Sequence, residues 1–159
     1  MLMKQKLLFL VMLVAGLTLT ACGGDDDSDP AQQEQEQRQQ ELVGSWLREG
    51  DSESYTLLIQ VWTDGSVIFN LGENWYIGDC KADKGNLVMT ARRFVINSMT
   101  DGNILGQYSN WYDVRTFSYP YKINGNILEI QLEINGQLRA MQLNKVQNLI
   151  ASYMIVNMG

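Results

Sequence analysis

Residues 127–137 read ILEIQLEINGQ, and this stretch decides the class of fold. Apolar and polar side chains alternate with a period of two, which places the apolar ones on one face of a strand. The Asn135-Gly136 dipeptide that follows favours the tight turn of a β-hairpin, and residues 137–146 predict the returning strand. One buried face and a two-residue turn together indicate an antiparallel sheet.

The same pattern continues on both sides of this hairpin. Turn-forming residues separate further alternating segments, which occupy residues 55–63, 66–70, 86–97, 110–123 and 149–156. Pro120 predicts a kink or an edge position within its strand, because proline cannot donate a ladder hydrogen bond. No long amphipathic helix interrupts the series. We therefore predict an all-β fold, a small antiparallel up-and-down β-barrel of about eight strands, with a β-sandwich as the alternative.

Two short motifs resemble those of the calycin or lipocalin-like barrels, and in particular the small lipocalin-like lipoproteins of Bacteroidetes. The first is the Gly-x-Trp formed by Gly44 and Trp46 after a polar segment, and the second is YKINGNILEI at residues 121–130. The resemblance covers most of residues 42–146. It implies that Trp46 plugs the closed end of the barrel, which includes Gly44, beneath a cation from a late strand, with Arg139 preferred and Lys145 as the alternative.

The N-terminus has the composition of an export signal. A short basic start containing Lys4 and Lys6 precedes an apolar run over residues 7–19, which is too short to span a bilayer comfortably. Leu-Thr-Ala-Cys at residues 19–22 resembles the lipobox of bacterial lipoproteins. The resemblance implies cleavage before Cys22 and acylation there with fatty chains such as palmitate, and two or three such chains anchor a protein stably.

The residues after Cys22 bear on sorting. Gly23 stands where an aspartate would favour retention in the inner membrane of enterobacteria. The acidic run over residues 25–29 resembles the surface-export signal of Bacteroidetes-type lipoproteins, and a solvated spacer is the alternative interpretation. We therefore expect an outer-membrane lipoprotein that faces either the periplasm or the cell surface.

The composition divides the chain into three parts. Residues 1–21 are predicted to be the signal peptide, residues 22–41 a lipidated acidic and Gln-rich tether, and residues 42–159 the lipocalin-like barrel domain. Residues 32–41 contain no apolar side chain, so they cannot contribute to a hydrophobic core. They are predicted to form a flexible spacer or a frayed helix, since Gln, Glu and Arg favour helices.

Composition also excludes several functions. The formal net charge is −6, and no basic patch interrupts the acidic chain, which argues against nucleic-acid binding. The absence of histidine removes Ser-His-Asp and Cys-His catalysis and the commonest zinc ligand. Cys80 lies beside Lys81, which would lower its pKa, but it has no base or resolving partner, so we expect a buried small hydrophobe. We predict no enzyme, no metal and no cofactor.

The aromatic residues of the middle of the chain carry the binding hypothesis. Rings that line a pocket or mouth hold apolar and planar ligands, and an inward arginine would bind an anionic head group. The tentative ligand-binding residues are Trp62, Trp75, Arg93, Trp111 and Tyr112; ordinary packing in the barrel wall is the alternative for each. The predicted function is non-catalytic binding of a small apolar or amphipathic ligand. The alternative is an envelope-assembly protein that binds protein partners and whose barrel is filled by its own side chains.

Overall fold

The computed structural model describes residues 29–48 and 57–156. A helix, α1, spans Pro30–Leu42 and leads into the first strand. The described strands are β1 (Gly44–Arg48), β2 (Leu57–Val61), β3 (Ser66–Leu71), β4 (Asn74–Asp83), β5 (Asn86–Thr100), β6 (Asn103–Tyr108), β7 (Val114–Asn124), β8 (Ile127–Ile134), β9 (Gln137–Val146) and β10 (Ser152–Ile155). All ten belong to one compact unit, Ala31–Gly159.

Eight of the strands close into an antiparallel barrel, which confirms the predicted fold class over the sandwich. Neighbouring strands pair in the order β1, β2, β3, β4, β5, β7, β8, β9, and β9 pairs back onto β1. Closure is made by three residue pairs, among them Trp46 with Lys145. A closed barrel leaves none of these strands as a free edge.

The other two strands extend the sheet beyond the barrel, and the sequence did not predict them as additions. The long strand β5 pairs with β7 through residues 86–92 and with β6 through residues 94–100. A β-bulge between Ile96 and Ser98 lies in the second of these ladders. Strand β10 then pairs with β6 in parallel. Strand β5 therefore leaves the barrel halfway along its length and carries a small outer sheet.

Two local predictions, the hairpin of β8 and β9 and the position of Pro120, can be compared with the structure. The predicted hairpin of β8 and β9 is confirmed, with Asn135 and Gly136 at φ angles of 53° and 75°. For Pro120 a kink or an edge position was predicted: β7 as a whole is not an edge strand, because it pairs with β5 and with β8, but Pro120 itself has a ladder partner only on β5. Pro120 is the last partner in the first ladder, and the second begins at Tyr121. The missing N–H therefore lies at the junction of the two ladders.

Inward side chains fill the barrel. The buried cluster inside it includes Trp46, Ile59, Phe69, Leu87, Met89, Leu128, Ile130 and Leu143, each at most 1 % exposed. They come from the alternate positions of their strands, as the period of two requires. Burial of these side chains removes apolar surface from water and supplies the main favourable term in folding.

A second cluster lies on the outside of the barrel wall. Leu58, Ile68 and Ile77 point outward from β2, β3 and β4, and Phe94, Ile104 and Ile150 pack against them. The outer sheet and the segment before β10 thus cover this part of the wall. The cover explains why all five residues of β2 are buried, on its outward face as well as on its inward face.

A buried glutamine fastens this cover to the wall. Gln60 is 1 % exposed, and its side-chain amide donates to the Ile150 carbonyl at 2.5 Å. The Gln60 carbonyl oxygen accepts from the Ile150 N–H at 3.0 Å and from the Ser45 hydroxyl at 2.7 Å. The amide therefore satisfies two backbone groups that would otherwise be buried without partners.

Replacing Gln60 with leucine is expected to lower the free energy of unfolding by about 1–3 kcal/mol. The substitution keeps the shape of the side chain but leaves the N–H and carbonyl of Ile150 unsatisfied. Chemical denaturation followed by tryptophan fluorescence measures the loss. The exposed Gln137 serves as the control, because the same substitution there should change stability by less than about 0.5 kcal/mol. Equal effects at the two positions would contradict the role assigned to Gln60.

Candidate functional site

One end of the barrel is closed by a helix and a tryptophan. The Trp46 indole is fully buried, and its Nε1 donates to the Leu42 carbonyl at 2.8 Å, at the C-terminal end of α1. The Lys145 ammonium lies 5.1 Å from the centre of the indole ring. Gly44 has a φ angle of 130°, and an added Cβ would stand 2.9 Å from the Lys145 side chain. The positive φ therefore requires glycine at this position, whereas the flexible lysine side chain could move aside.

The cation above Trp46 corrects one assignment. Arg139 was the preferred barrel-closing cation, and Lys145 was its alternative. Arg139 instead pairs with Leu132 near the beginning of β9. Six residues of extended strand, about 20 Å, separate it from Lys145. The preference for Arg139 is thus wrong, because the register of β9 against β1 places Lys145 opposite Trp46.

The segment predicted as a tether contributes to the closed end. Residues 30–42 are helical, and the Gln39 amide donates to the Cys80 carbonyl at 3.0 Å and accepts from the Ala82 N–H at 2.9 Å. Gln35 donates to the Ala82 carbonyl at 3.3 Å. The helix therefore satisfies backbone groups at the end of β4 with polar side chains, which hydropathy alone does not reveal.

The opposite end of the barrel, where β1 ends and β2 begins, is called the mouth below. Leu71, Phe117, Leu132 and Met141 pack inward against the core near this end but remain partly exposed. The rings of Phe69, Tyr76 and Phe117 form a cluster beneath the mouth, with centroids 4.9–5.2 Å apart. The buried Trp46 thus plugs the helix end, where Tyr121 and Ile123 are partly exposed beside α1, whereas the mouth presents the apolar side chains above the ring cluster to solvent.

Charged side chains surround the mouth. Arg115 forms a bidentate ion pair with Asp113, in which the shortest distance, 2.7 Å, joins Arg115 Nη2 to Asp113 Oδ2. Asp113 and then Tyr76 raise the pKa of Arg115, and the guanidinium lowers the pKa of Asp113. Arg48 contacts the Met141 sulfur. These side chains make the mouth polar at its rim and apolar beneath it.

The five predicted ligand-binding residues do not form one site. Trp62 and Trp75 pack in the cluster outside the barrel, where Trp62 lies 5.4 Å from the Tyr153 ring. Trp111 and Tyr112 lie in the exposed connection between β6 and β7, at 51 % and 89 % exposure. Only Arg93 occupies an inward register position, two residues beyond Ala91 on β5.

The outward neighbour of Arg93 organises the exposed connection. Arg92 donates from Nε to the Trp111 carbonyl at 2.8 Å, and its guanidinium lies 5.5 Å from the ring centres of both Tyr108 and Trp111. Arg92 and Arg93 therefore lie on opposite faces of β5. Sequence reasoning missed Arg48 and Arg115 at the mouth, because only cross-strand register brings them to one end of the barrel.

Cys80 is buried, as expected, and burial raises the pKa of its thiol to about 12. The expected effect of Lys81 on this pKa is overridden by desolvation. At pH 8 this pKa reduces the thiolate fraction about 1000-fold relative to a thiol of pKa 9.0. The same shift stabilises the folded chain below pH 9, and this contribution is lost as the pH rises towards 12.

An aromatic disulfide reagent at pH 8 is therefore expected to modify Cys80 at least about 100-fold more slowly in the folded chain than in denaturant. The release of the coloured thiol measures both rates. A chain that begins at residue 23 removes Cys22 from the measurement. Equal rates in buffer and in denaturant would show that the thiol is accessible and would contradict its burial.

Other chemistry finds no support in the part of the chain that the structure describes. Residues 29–48 and 57–156 contain no group of three or more His, Cys, Asp or Glu side chains arranged to hold a metal ion. Among the same residues, no helix combines the length and the apolar character that crossing a membrane requires. The predictions for the signal peptide and Cys22 fall outside the described residues.

Fold and site together define an all-β protein built on a closed eight-stranded antiparallel barrel with one capped end and one polar-rimmed mouth. This architecture is consistent with the lipocalin-like fold that the motifs resemble. A comparison with known protein families, curated proteins and solved structures found no match for the chain.

Proposed function

We propose that this protein is a non-catalytic, lipid-anchored envelope protein that binds a small apolar or amphipathic ligand at the mouth of its barrel. The observation that carries the proposal is the contrast between the two ends. At the helix end the fully buried Trp46 plugs the barrel against the end of α1, whereas at the mouth Phe117, Leu132 and Met141 remain partly exposed. Partly exposed apolar side chains inside a concave wall are typical of ligand sites.

The filled half of the barrel limits the ligand. An eight-stranded barrel is just wide enough for its own side chains to fill, and Phe69, Tyr76 and Phe117 occupy the centre here. A ligand would therefore lie on this ring cluster rather than pass through it. We expect a short apolar moiety to be covered, with the rest of the molecule in contact with the polar rim.

Native mass spectrometry tests the proposal. Residues 23–159 contain the whole compact unit and its core, so they are suitable for expression with a separate export signal. We expect a mass excess that is lost on collisional activation, and the released molecule then identifies the ligand class. A mass equal to that of the chain alone, together with no thermal stabilisation by a panel of lipids, haem and glycans, would refute ligand binding.

A second function is favoured by a different observation. Val95, Leu105 and Met154 share the outer face of the sheet formed by β5, β6 and β10, and they are 41 %, 37 % and 66 % exposed. An exposed apolar face beside a filled barrel fits an envelope-assembly protein that docks a protein partner. Crosslinking on intact envelopes should then recover a partner in constant stoichiometry, which replacement of Met154 by glutamate abolishes.

The anchor has its own test. If Cys22 is the lipidated residue, the protein from an export-competent host should fractionate with membranes and carry the mass of a diacylglyceryl group plus an acyl chain. Cys22→Ser should abolish that modification, whereas Cys80→Ser should leave it unchanged. Recovery of unmodified protein in the soluble fraction would refute lipid anchoring. Protease treatment of intact cells then separates surface exposure from a periplasmic location.

A further inference from the structure

The arginines of this chain are concentrated at the mouth. The chain has six arginines, and four of them occupy inward register positions there: Arg48, Arg93, Arg115 and Arg139. Each lies two residues from an inward-facing core residue on its own strand, on the side towards the mouth. Side chains two residues apart on a strand share a face, so all four extend the inner wall.

Arg93 and Arg115 form the better-defined half of this group. Arg93 pairs directly with Tyr76 on β4, and Arg115 pairs with Ala91 on β5. Arg93 and Arg115 are therefore diagonal neighbours on adjacent strands, with Cα atoms about 7–8 Å apart. Tyr76 also lies close enough to Arg115 to affect its pKa. Two guanidinium groups thus lie beside the phenol of Tyr76, which is itself part of the ring cluster.

Arg48 and Arg139 form the other half, on the far side of β8. Arg48 contacts the sulfur of Met141, and Arg139 is two residues from Met141 on the same face of β9. The guanidinium groups of Arg93 and Arg139 make no hydrogen bond or ion pair with any other described residue. Asp113, already paired with Arg115, is the carboxylate that the structure places against these arginines.

These arginines concentrate positive charge at one opening. The chain as a whole is acidic, with a net charge of −6, yet four cations converge on one opening. Like charges around a low-dielectric opening repel one another and focus a positive potential into it. An anion that enters the mouth relieves this repulsion. The apolar floor formed by Phe117, Leu132 and Met141 lies immediately below.

We propose that the mouth arginines bind the anionic head group of a single-chain amphiphile, with Arg93 and Arg115 as its direct ligands. This inference rests on the proposed function and names the ligand class. Guanidinium groups bind carboxylate and phosphate oxygens in a bidentate manner, so either head group satisfies the site. Arg48 and Arg139 contribute positive potential from the opposite wall, and the alkyl chain lies on the apolar floor.

Arg92 provides a matched control. It neighbours Arg93 in sequence and carries the same charge, but it faces outward and contacts Tyr108 and Trp111. Arg93→Gln and Arg92→Gln therefore remove equal charge from opposite faces of one strand. Residues 23–159 are titrated with dodecanoate, dodecyl phosphate, dodecanol and butyrate below their aggregation concentrations, and binding is measured by calorimetry.

We expect dodecanoate or dodecyl phosphate to bind at least about 10-fold more tightly than dodecanol, because charge-assisted hydrogen bonds are lost in the alcohol. Arg93→Gln should weaken binding of the anionic amphiphile about 10-fold or more and leave the dodecanol affinity unchanged. Arg92→Gln should change the affinity for either compound less than 2-fold, because removal of a surface charge far from the ligand has an effect of about this size. Circular dichroism confirms that both variants are folded.

Four other results would overturn the inference in distinguishable ways. Equal binding of dodecanoate and dodecanol, unchanged by Arg93→Gln, refutes the arginine site and leaves the proposed function standing. Butyrate that binds as tightly as dodecanoate identifies a site for free small anions. Binding of none of the dodecyl compounds refutes both proposals. Unchanged affinity with a lower unfolding midpoint in Arg93→Gln would show that this arginine pairs with the chain's own carboxylates.

Discussion

Replacement of Trp46 with alanine is expected to lower the free energy of unfolding by about 3–5 kcal/mol. The indole is fully buried at the helix end of the barrel, where it makes three kinds of contact. It packs in the interior cluster, donates to the Leu42 carbonyl at 2.8 Å and lies beneath the Lys145 ammonium. Loss of the ring leaves a cavity and leaves a helix-terminal carbonyl without its donor.

Chemical denaturation followed by far-ultraviolet circular dichroism measures this loss independently of tryptophan fluorescence. Trp111→Ala is the control, because Trp111 is half exposed in a connection and its removal should cost about 1 kcal/mol or less. Lys145→Met tests the cation separately and should cost only about 0.5–1 kcal/mol. If Trp46→Ala were as stable as Trp111→Ala, Trp46 would not close the barrel.

Substitution of Gly78 by alanine is expected to cost about 3 kcal/mol, although it adds one methyl group. A Cβ at this position would stand 2.0 Å from the Thr90 carbonyl oxygen and 2.6 Å from the Ala91 Cα, both backbone atoms of β5. Backbone atoms cannot relieve the overlap by a rotamer change, so β4 and β5 would have to separate. Glycine marks such close approaches where a barrel bends.

The neighbouring residue gives the control for this prediction. Asp79 lies next to Gly78 on the same strand but is exposed on the outer surface, so Asp79→Ala should change stability by less than about 0.5 kcal/mol. An unfolding midpoint for Gly78→Ala close to that of the unsubstituted chain would show that the two strands do not approach as described. The denaturant slope should remain constant if only stability changes.

The sequence predicted best where one local rule decides the structure. Alternation over residues 127–134 and the Asn135-Gly136 turn specify a hairpin without reference to the rest of the chain. Gly44 and Trp46 were assigned to the closed end from a resemblance, and the structure explains both residues. Gly44 has a positive φ beneath Lys145, and Trp46 is buried against the end of α1.

The sequence predicted less where the answer depends on register between distant strands. Arg139 and Lys145 are both cations on β9, and only the pairing of β1 with β9 identifies Lys145 as the one above Trp46. The aromatic side chains gave a similar difficulty. Trp62 and Trp75 have the composition of pocket residues, but an outer sheet covers them from outside the barrel, and β6 was not predicted as a strand.

Closure of the barrel has a consequence for the rate at which the chain folds. The last ladder joins β1 to β9 through Ser45 and Val146, which are about 100 residues apart in the chain. Such long-range pairing gives a high contact order, for which folding times lie in the range of about milliseconds to seconds rather than microseconds. Until that ladder forms, β1 and β9 both present unpaired backbone groups. A chain of this topology is therefore most exposed to aggregation during its slowest step.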